Sequence, residues 1–183
     1  MRVLAADGVA MLPAEGVYGL HVLASSERAV ARVRALKPRD GAKSYIGLIQ
    51  SPEEVHAWTE ALEPVAEALI HAHWPGALTL VLPAGPRVPA ALRAGDGTVA
   101  LRCPGSSFLR EVVGGSGGLV LSTSVNAPGE PPAARAEGSL AERVDLIVDQ
   151  GALDGIPSTI VRIEKGRLVL LRAGAVSVEG RAS

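Results

Sequence analysis

An α/β layered domain is the fold class this sequence predicts, on three observations. Short runs rich in Val, Leu and Ile alternate with helical patterns along the whole chain. Apolar residues make up 48% and charged residues 20%, while aromatics at 3% leave Val, Leu and Ala to fill the interior. Capping and breaking residues punctuate the helical stretches. A length of 183 residues suffices for one domain with a substantial core, so 1–183 is read as a single domain.

The elements follow in chain order. An apolar run predicts a strand over 8–13. Ser26 can cap a helix carrying Ala29, Val30, Val33 and Leu36 on one face, and Pro38 must stop it near Lys37. A strand is expected over 44–49. Ser51-Pro52-Glu53-Glu54 combines an N-cap, a proline at the first helical position and a glutamate placed for a capping box, predicting a helix from 52. Pro64 opens another helical piece running to Trp74, before strands over 77–82, 98–103 and 119–123. Residues 126–132 read as a loop. Strands over 145–148, 158–163 and 167–172 complete the series, the last two joined through Glu164-Lys165-Gly166 as a hairpin turn.

Composition excludes several function classes. Lys plus Arg total 18 against 19 for Asp plus Glu, a net charge of −1 that gives no general attraction to nucleic acid or anionic membrane. Cys103 is the one cysteine, which excludes an internal disulfide and a cysteine cluster for metal, and fits a reducing compartment such as the cytosol. Asp7 and Gly8 break the N-terminal apolar run, unlike a signal peptide, and no stretch approaches the roughly 18 apolar residues of a membrane span.

Several motif resemblances fail on context. Gly114-Gly115-Ser116-Gly117-Gly118 follows a helix and precedes a strand, the reverse of a phosphate-binding loop. Gly41-Ala42-Lys43-Ser44 has alanine before the lysine and no helix after it. His71 and His73 point to different helix faces, and His21 and His56 have no evident acidic or nucleophilic companion. Ser122 and Ser124 sit outside any nucleophile elbow, and Cys103 reads as a small buried filler.

What remains is Lys37-Pro38-Arg39 together with Ser122-Thr123-Ser124-Val125-Asn126. Two cations held apart by a stiff proline suit a polyphosphate or carboxylate, while three hydroxyls and an amide suit the neutral edges of the same ligand. The pair predicts an anion-handling pocket.

Across nearly the whole chain the motifs occur in the order of a known family. Pro13-Ala14-Glu15-Gly16-Val17-Tyr18-Gly19-Leu20 is similar to a P-T-E-x-V-Y-G-L segment. K-x-R at Lys37, W-P-G-x-L-T at Trp74, T-V-A-x-R at Thr98, S-x-N at Ser124, S-T-[IV] at Ser158 and L-R-x-G at Leu171 follow. The chain thereby resembles the YrdC-like family, the threonylcarbamoyl-AMP synthases, in their short form. The resemblance implies a YrdC/RibB-like fold, shared with dihydroxybutanone-phosphate synthase: a twisted, open mixed sheet flanked by helices around a basic cavity.

It also implies a reaction that condenses L-threonine, bicarbonate and ATP into threonylcarbamoyl-adenylate with release of pyrophosphate. A transferase machinery would then carry the threonylcarbamoyl group to an adenosine beside the tRNA anticodon. By the resemblance, Lys37 and Arg39 hold phosphate oxygens with Lys43 beside them, and Thr98, Ser124 and Arg172 bind the nucleotide. Asn126 serves phosphate or carbamate, so Lys37, Arg39, Ser124 and Asn126 form the expected catalytic set. Arg102 and Ser158 hold threonine, with Ser122 completing the contact. Magnesium is expected with ATP, held mostly by phosphates and water.

Two departures stand out. Ala14 replaces the usual threonine of P-T-E, removing a hydroxyl contact worth roughly 0.5–1.5 kcal/mol, or about tenfold in affinity at most. Pro132-Ala133-Ala134 replaces the more usual S-P-T. Two further functions share the family: a YciO-like or YrdC-like protein that binds double-stranded RNA or tRNA without turnover, and a carbamoyl-transfer module of hydrogenase maturation. Retention of K-x-R with S-x-N favours chemistry over binding alone, and the acylphosphatase and zinc-finger segments of the maturation proteins do not occur in the sequence.

Overall fold

Strand alternation and register decide which side chains share a face, and therefore where a site can form. The computed structural model describes residues 1–37, 45–126, 133–138 and 140–178. Among these, nine strands form one sheet: β1 (Ala10–Pro13), β2 (Tyr18–Leu23), β3 (Ile46–Leu48), β4 (Leu78–Pro83), β5 (Thr98–Arg102), β6 (Val120–Ser124), β7 (Leu146–Ile147), β8 (Thr159–Glu164) and β9 (Arg167–Arg172). Their spatial order is β7-β1-β2-β6-β3-β5-β4-β8-β9. Three pairs are parallel (β1 with β7, β3 with β5, β4 with β8) and the other five antiparallel, so the sheet is mixed.

One register row runs Ala10, His21, Ser122, Ile46, Ala100, Val81 and Arg162. Residues opposite one another, and those two positions along each strand, point the same way. Ser124, Thr98, Arg102 and Thr79 therefore lie on the face of Ser122, while Met11, Leu20, Leu121, Leu101 and Leu80 line the other. The apolar face carries the larger core. Helix α2 (Glu27–Leu36) packs Ala29, Val30 and Val33 there, and α4 (Pro64–His73) packs Ala66, Leu69 and Ile70. On the polar face, Leu4 of α1 (Arg2–Ala5) and Leu109 and Val113 of α5 (Ser107–Gly114) cover only the part bearing Ala10, Leu12, Leu48 and Val120.

Local signals explain most boundaries. Ser26 Oγ accepts from Ala29 N at 3.1 Å, capping α2, which stops at Leu36 ahead of Pro38. Lys165 (φ 51°) and Gly166 (φ 75°) make the two-residue turn between β8 and β9, both in the left-handed region that such a hairpin requires. The capping box at Ser51 does not form. Pro52–Glu54 is a 3₁₀ turn leading into α3 (Val55–Trp58), Ser51 makes no side-chain cap, and Glu54 accepts instead from Gln50 N at 3.3 Å. Strand β2 was not expected from the sequence. No helix among the described residues is long and apolar enough to cross a membrane.

Asp145 ties three pieces together ahead of β7. Its carboxylate accepts from Val9 N at 2.7 Å and takes both terminal nitrogens of Arg32 from α2. The Arg32 hydrogen bond, then that of Val9 N, holds this carboxyl below the ordinary aspartate value.

Two outcomes are expected. Leu101→Ala removes a fully buried side chain from the sheet's centre and should cost about 2–5 kcal/mol in urea unfolding, with wild-type secondary structure retained in water. Because the Asp145 pKa is depressed on folding, its contribution is present above the unfolded value of about 3.9 and is lost as pH falls through the folded value. Asp145→Asn should therefore be less stable than wild type at pH 7, and the gap should narrow below about pH 4.

Candidate active site

Lys37 and the end of β6 meet, although 89 residues separate Lys37 from Asn126. Lys37 closes α2 and is only 7% exposed. Its Nζ donates to Ser124 O at 2.6 Å, to Asn126 Oδ1 at 2.7 Å and to Ser124 Oγ at 3.1 Å. Ser124 Oγ in turn donates to Asn126 Oδ1 at 2.6 Å. The ammonium and the hydroxyl thus fix which end of the Asn126 amide is the acceptor. Arg39 and Lys43 lie outside the described residues, as do Pro38 and Pro132.

Arg102 ends β5 on the same sheet face, with its side chain 5% exposed. Nη2 lies 3.0 Å from Glu15 Oε2, a close charge contact out of line for a hydrogen bond, and Arg102 Nε is buried without a hydrogen-bond partner among the described residues. A carboxylate can take up that unmet donor. Glu15 was read in the sequence only as part of a motif. The structure places it at the Arg102 guanidinium through a tight turn in which Gly16 has φ +63° and Ile156 O approaches so closely that a Cβ would overlap it. Ala14 lies in the same turn, donating its N–H to Val17 O at 3.0 Å and packing on the cluster of Leu12 and Leu48.

His21 does have a companion, contrary to the sequence expectation. Its Nε2 lies 3.2 Å from Ser122 Oγ, across the β2–β6 register, and its Nδ1 lies 2.9 Å from Gly19 O. Burial, then the charge of Arg102, pushes its pKa down to about 3. No sequence signal marked this pair, because its members are 101 residues apart and β2 was not foreseen.

Ser158 and Arg172 form a third group. Arg172 Nε and Nη2 donate to Ser158 O at 2.9 and 2.7 Å, Nη2 also reaches Ser158 Oγ at 2.9 Å, and that hydroxyl shares a hydrogen bond with Thr79 Oγ1 at 2.9 Å. Ser158 is 1% exposed, so the Arg172 guanidinium is anchored from below by backbone and hydroxyl oxygens. Thr98 stands at the start of β5, where its hydroxyl donates to Asp96 Oδ1 at 2.6 Å, and Asp96 also pairs with Arg162 at 2.9 Å.

Trp74 is buried and donates its indole N–H to Leu78 O at 2.7 Å. Tyr18 is fully buried, with its hydroxyl 2.8 Å from Gly151 O and accepting from Gln150 N. The Cys103 thiol is pushed up to about 12, chiefly by burial, which makes it a poor nucleophile. Gly114 ends α5, and residues 115–119 connect it to β6. His71 and His73 lie on the outer part of α4. Among the described residues no group of three or more His, Cys, Asp or Glu gathers as metal ligands.

The Sua5_yciO_yrdC family model, described as "Telomere recombination", matches residues 2–174. A threonylcarbamoyl-AMP synthase of Stenotrophomonas maltophilia is 37% identical over 154 residues, covering 83% of this chain and 82% of its own. One of Chromohalobacter salexigens is 33% identical over 174 residues, covering 88% and 93%. Among solved structures, P. abyssi Sua5 complexed with L-threonine superposes with a TM-score of 0.86 at 31% identity, over 94% of this chain and 52% of that one. E. coli YciO, at 22% identity, shares the fold with a TM-score of 0.87 over 97% and 88%. This chain spans about half the length of the Pyrococcus protein, at 52%. With the family match covering nearly its whole length and the shared fold laid out above, the chain belongs to the Sua5/YciO/YrdC family.

Proposed function

We propose that this chain is a nucleotidyltransferase that makes threonylcarbamoyl-AMP from L-threonine, bicarbonate and ATP, releasing pyrophosphate. The observation that carries this reading is the convergence of Lys37 Nζ on Ser124 and Asn126, which sets a buried cation beside a hydroxyl and an amide on the polar face of the sheet. The names of the Stenotrophomonas and Chromohalobacter relatives and the threonine in the Pyrococcus complex support it.

In the first step the threonine amine, as its neutral form, bonds through nitrogen to the carbon of carbon dioxide or bicarbonate and gives up a proton, leaving a carbamate. From bicarbonate, hydroxide leaves the carbon and takes up that proton as water. A carbamate oxygen then attacks the α-phosphorus of ATP, the bond from that phosphorus to the β-bridging oxygen breaks, and pyrophosphate leaves with the electron pair. Neither step requires a protein nucleophile. The protein aligns the two substrates and stabilises charge that develops on the leaving group.

Lys37 is the proposed phosphate ligand, with Arg39 and Lys43 following it in sequence. Ser124 and Asn126 position the reacting phosphate or carbamate. Thr98 and Arg172 belong to the nucleotide side, although the Thr98 hydroxyl would exchange its bond to Asp96 for one to ATP. Arg102, with its unmet Nε–H, takes the amino-acid carboxylate, and Ser122 and Ser158 complete the threonine side. Magnesium enters as part of the MgATP substrate, held by phosphate oxygens and water. The product passes to a transferase that modifies tRNA, and we place the activity in the cytosol.

Pyrophosphate release by the purified chain should require ATP, threonine and bicarbonate together. Release indifferent to threonine and bicarbonate, or a salt-sensitive RNA complex with no turnover, would reject the reading. Lys37→Met should lower kcat by about a hundredfold, as expected when one charge-stabilising donor is removed. Arg102→Lys keeps a cation for Glu15 but loses the planar fork, so the threonine KM should rise about tenfold while the ATP KM stays within about twofold.

A further inference from the structure

His21 is the buried polar group to which the proposed chemistry gives no task. Its ring is fully enclosed and lies against Gly19, where a Cβ would come within 2.8 Å of ring Cε1, so the missing side chain at 19 makes its room. The hydrogen bonding at its two nitrogens determines its tautomer. Gly19 O can only accept, so Nδ1, at 2.9 Å, carries the proton. Burial and the Arg102 charge push the pKa down to about 3, so the ring is neutral at pH 7. Nε2 is then a bare acceptor, and Ser122 Oγ at 3.2 Å must donate to it.

That donation uses the only proton of the Ser122 hydroxyl. Toward the rest of its surroundings Ser122 presents lone pairs alone, and no other described side chain donates to it. A carboxylate or phosphate oxygen gains nothing from an oxygen that only accepts. An amine does, because it can give an N–H while its own lone pair stays available for bond formation. Arg102, on the same sheet face, has the opposite character, with donors only.

We propose that His21 is a positioning residue that locks the Ser122 hydroxyl as a hydrogen-bond acceptor for the amino group of the amino-acid substrate. This rests on the synthase reading. It orients the substrate with its amine toward β6 and its carboxylate toward Arg102, and it excludes His21 itself as the base that deprotonates the amine.

The test combines a spectrum and a mutant series on the full chain. Nitrogen-15 NMR of histidine-labelled wild type should show His21 protonated at Nδ1 and bare at Nε2 throughout pH 5–8. His21→Leu removes the acceptor and should raise the threonine KM about tenfold with the ATP KM unchanged. In His21→Gln the amide oxygen can accept in place of Nε2, and most of that loss should be recovered. In a Ser122→Ala background, His21→Leu should add less than about twofold. The opposite tautomer, equal impairment in the Leu and Gln variants, or fully additive effects would each overturn the proposal, and the spectrum decides even where a variant fails to fold. A wild-type chain without threonine-dependent release would overturn the synthase reading, and with it the amine as the partner of Ser122. Intact turnover with the proton on Nε2 would overturn the His21 assignment alone.

Discussion

The register of the sheet is the constraint on which the rest depends. His21, Ser122, Ile46 and Ala100 stand in one row, and their neighbours two positions along, Ser124, Thr98 and Arg102, point the same way. A slip of one residue in β6 would turn Leu121 out of the core and drive Ser122 and Ser124 into it. Losing the burial of one leucine costs about 1.5–3 kcal/mol, and burying a hydroxyl without a partner costs about 1–3 kcal/mol more. The apolar packing beneath α2 and α4 therefore fixes the polar geometry above it. Strands β4, β5 and β6 deliver hydroxyls and a guanidinium to one surface because their other sides are needed in the core.

The cationic side chains on that surface are oriented by nearby oxygens. Carbonyl, hydroxyl and amide oxygens are among the partners of Lys37, and carbonyl and hydroxyl oxygens among those of Arg172. Arg102 faces a carboxylate, Glu15, at 3.0 Å. A polyphosphate demands undiminished positive charge, whereas a zwitterionic amino acid brings a cation as well as an anion. A guanidinium already balanced by a carboxylate offers direction more than net charge, and suits the smaller ligand. Such a pair is also costly to halve, at about 3–5 kcal/mol when one partner is removed, so Glu15 helps hold the Arg102 guanidinium in place.

Much of this was legible in the sequence wherever the signal was local. Ser26 and Pro38 bounded α2, Lys165-Gly166 marked the hairpin, and apolar runs marked eight of the strands. Strand β2 escaped because Gly19 and His21 interrupt its apolar pattern, and the reason for both is tertiary: the glycine makes room for a ring whose partner comes from β6. The capping box at Ser51 does not form, and Glu54 accepts from Gln50 N instead. Lys37, Ser124 and Asn126 were named from motif and side-chain chemistry, and their meeting is geometric fact. Glu15 and the His21–Ser122 pair were not named, since a carboxylate or imidazole with no neighbour in sequence reads as ordinary until the strands are laid side by side.

The alanine at position 14 can be weighed in the same terms. Its turn is shaped by the Ala14 N to Val17 O bond and by the left-handed Gly16 pressed against Ile156 O, neither of which involves the side chain at 14. Replacing a threonine there leaves the backbone path, and hence the reach of Glu15 to Arg102, undisturbed. The methyl group of Ala14 instead joins the apolar cluster with Leu12 and Leu48. Under the proposed function one hydroxyl contact of about 0.5–1.5 kcal/mol would be absent, while the acceptor at Ser122 and the donors of Arg102 would still define which end of an amino acid goes where. Under the proposed function, orientation set by two groups of opposite hydrogen-bonding character would survive the loss of a third contact better than affinity does, so alanine at 14 would weaken binding without misdirecting the amine.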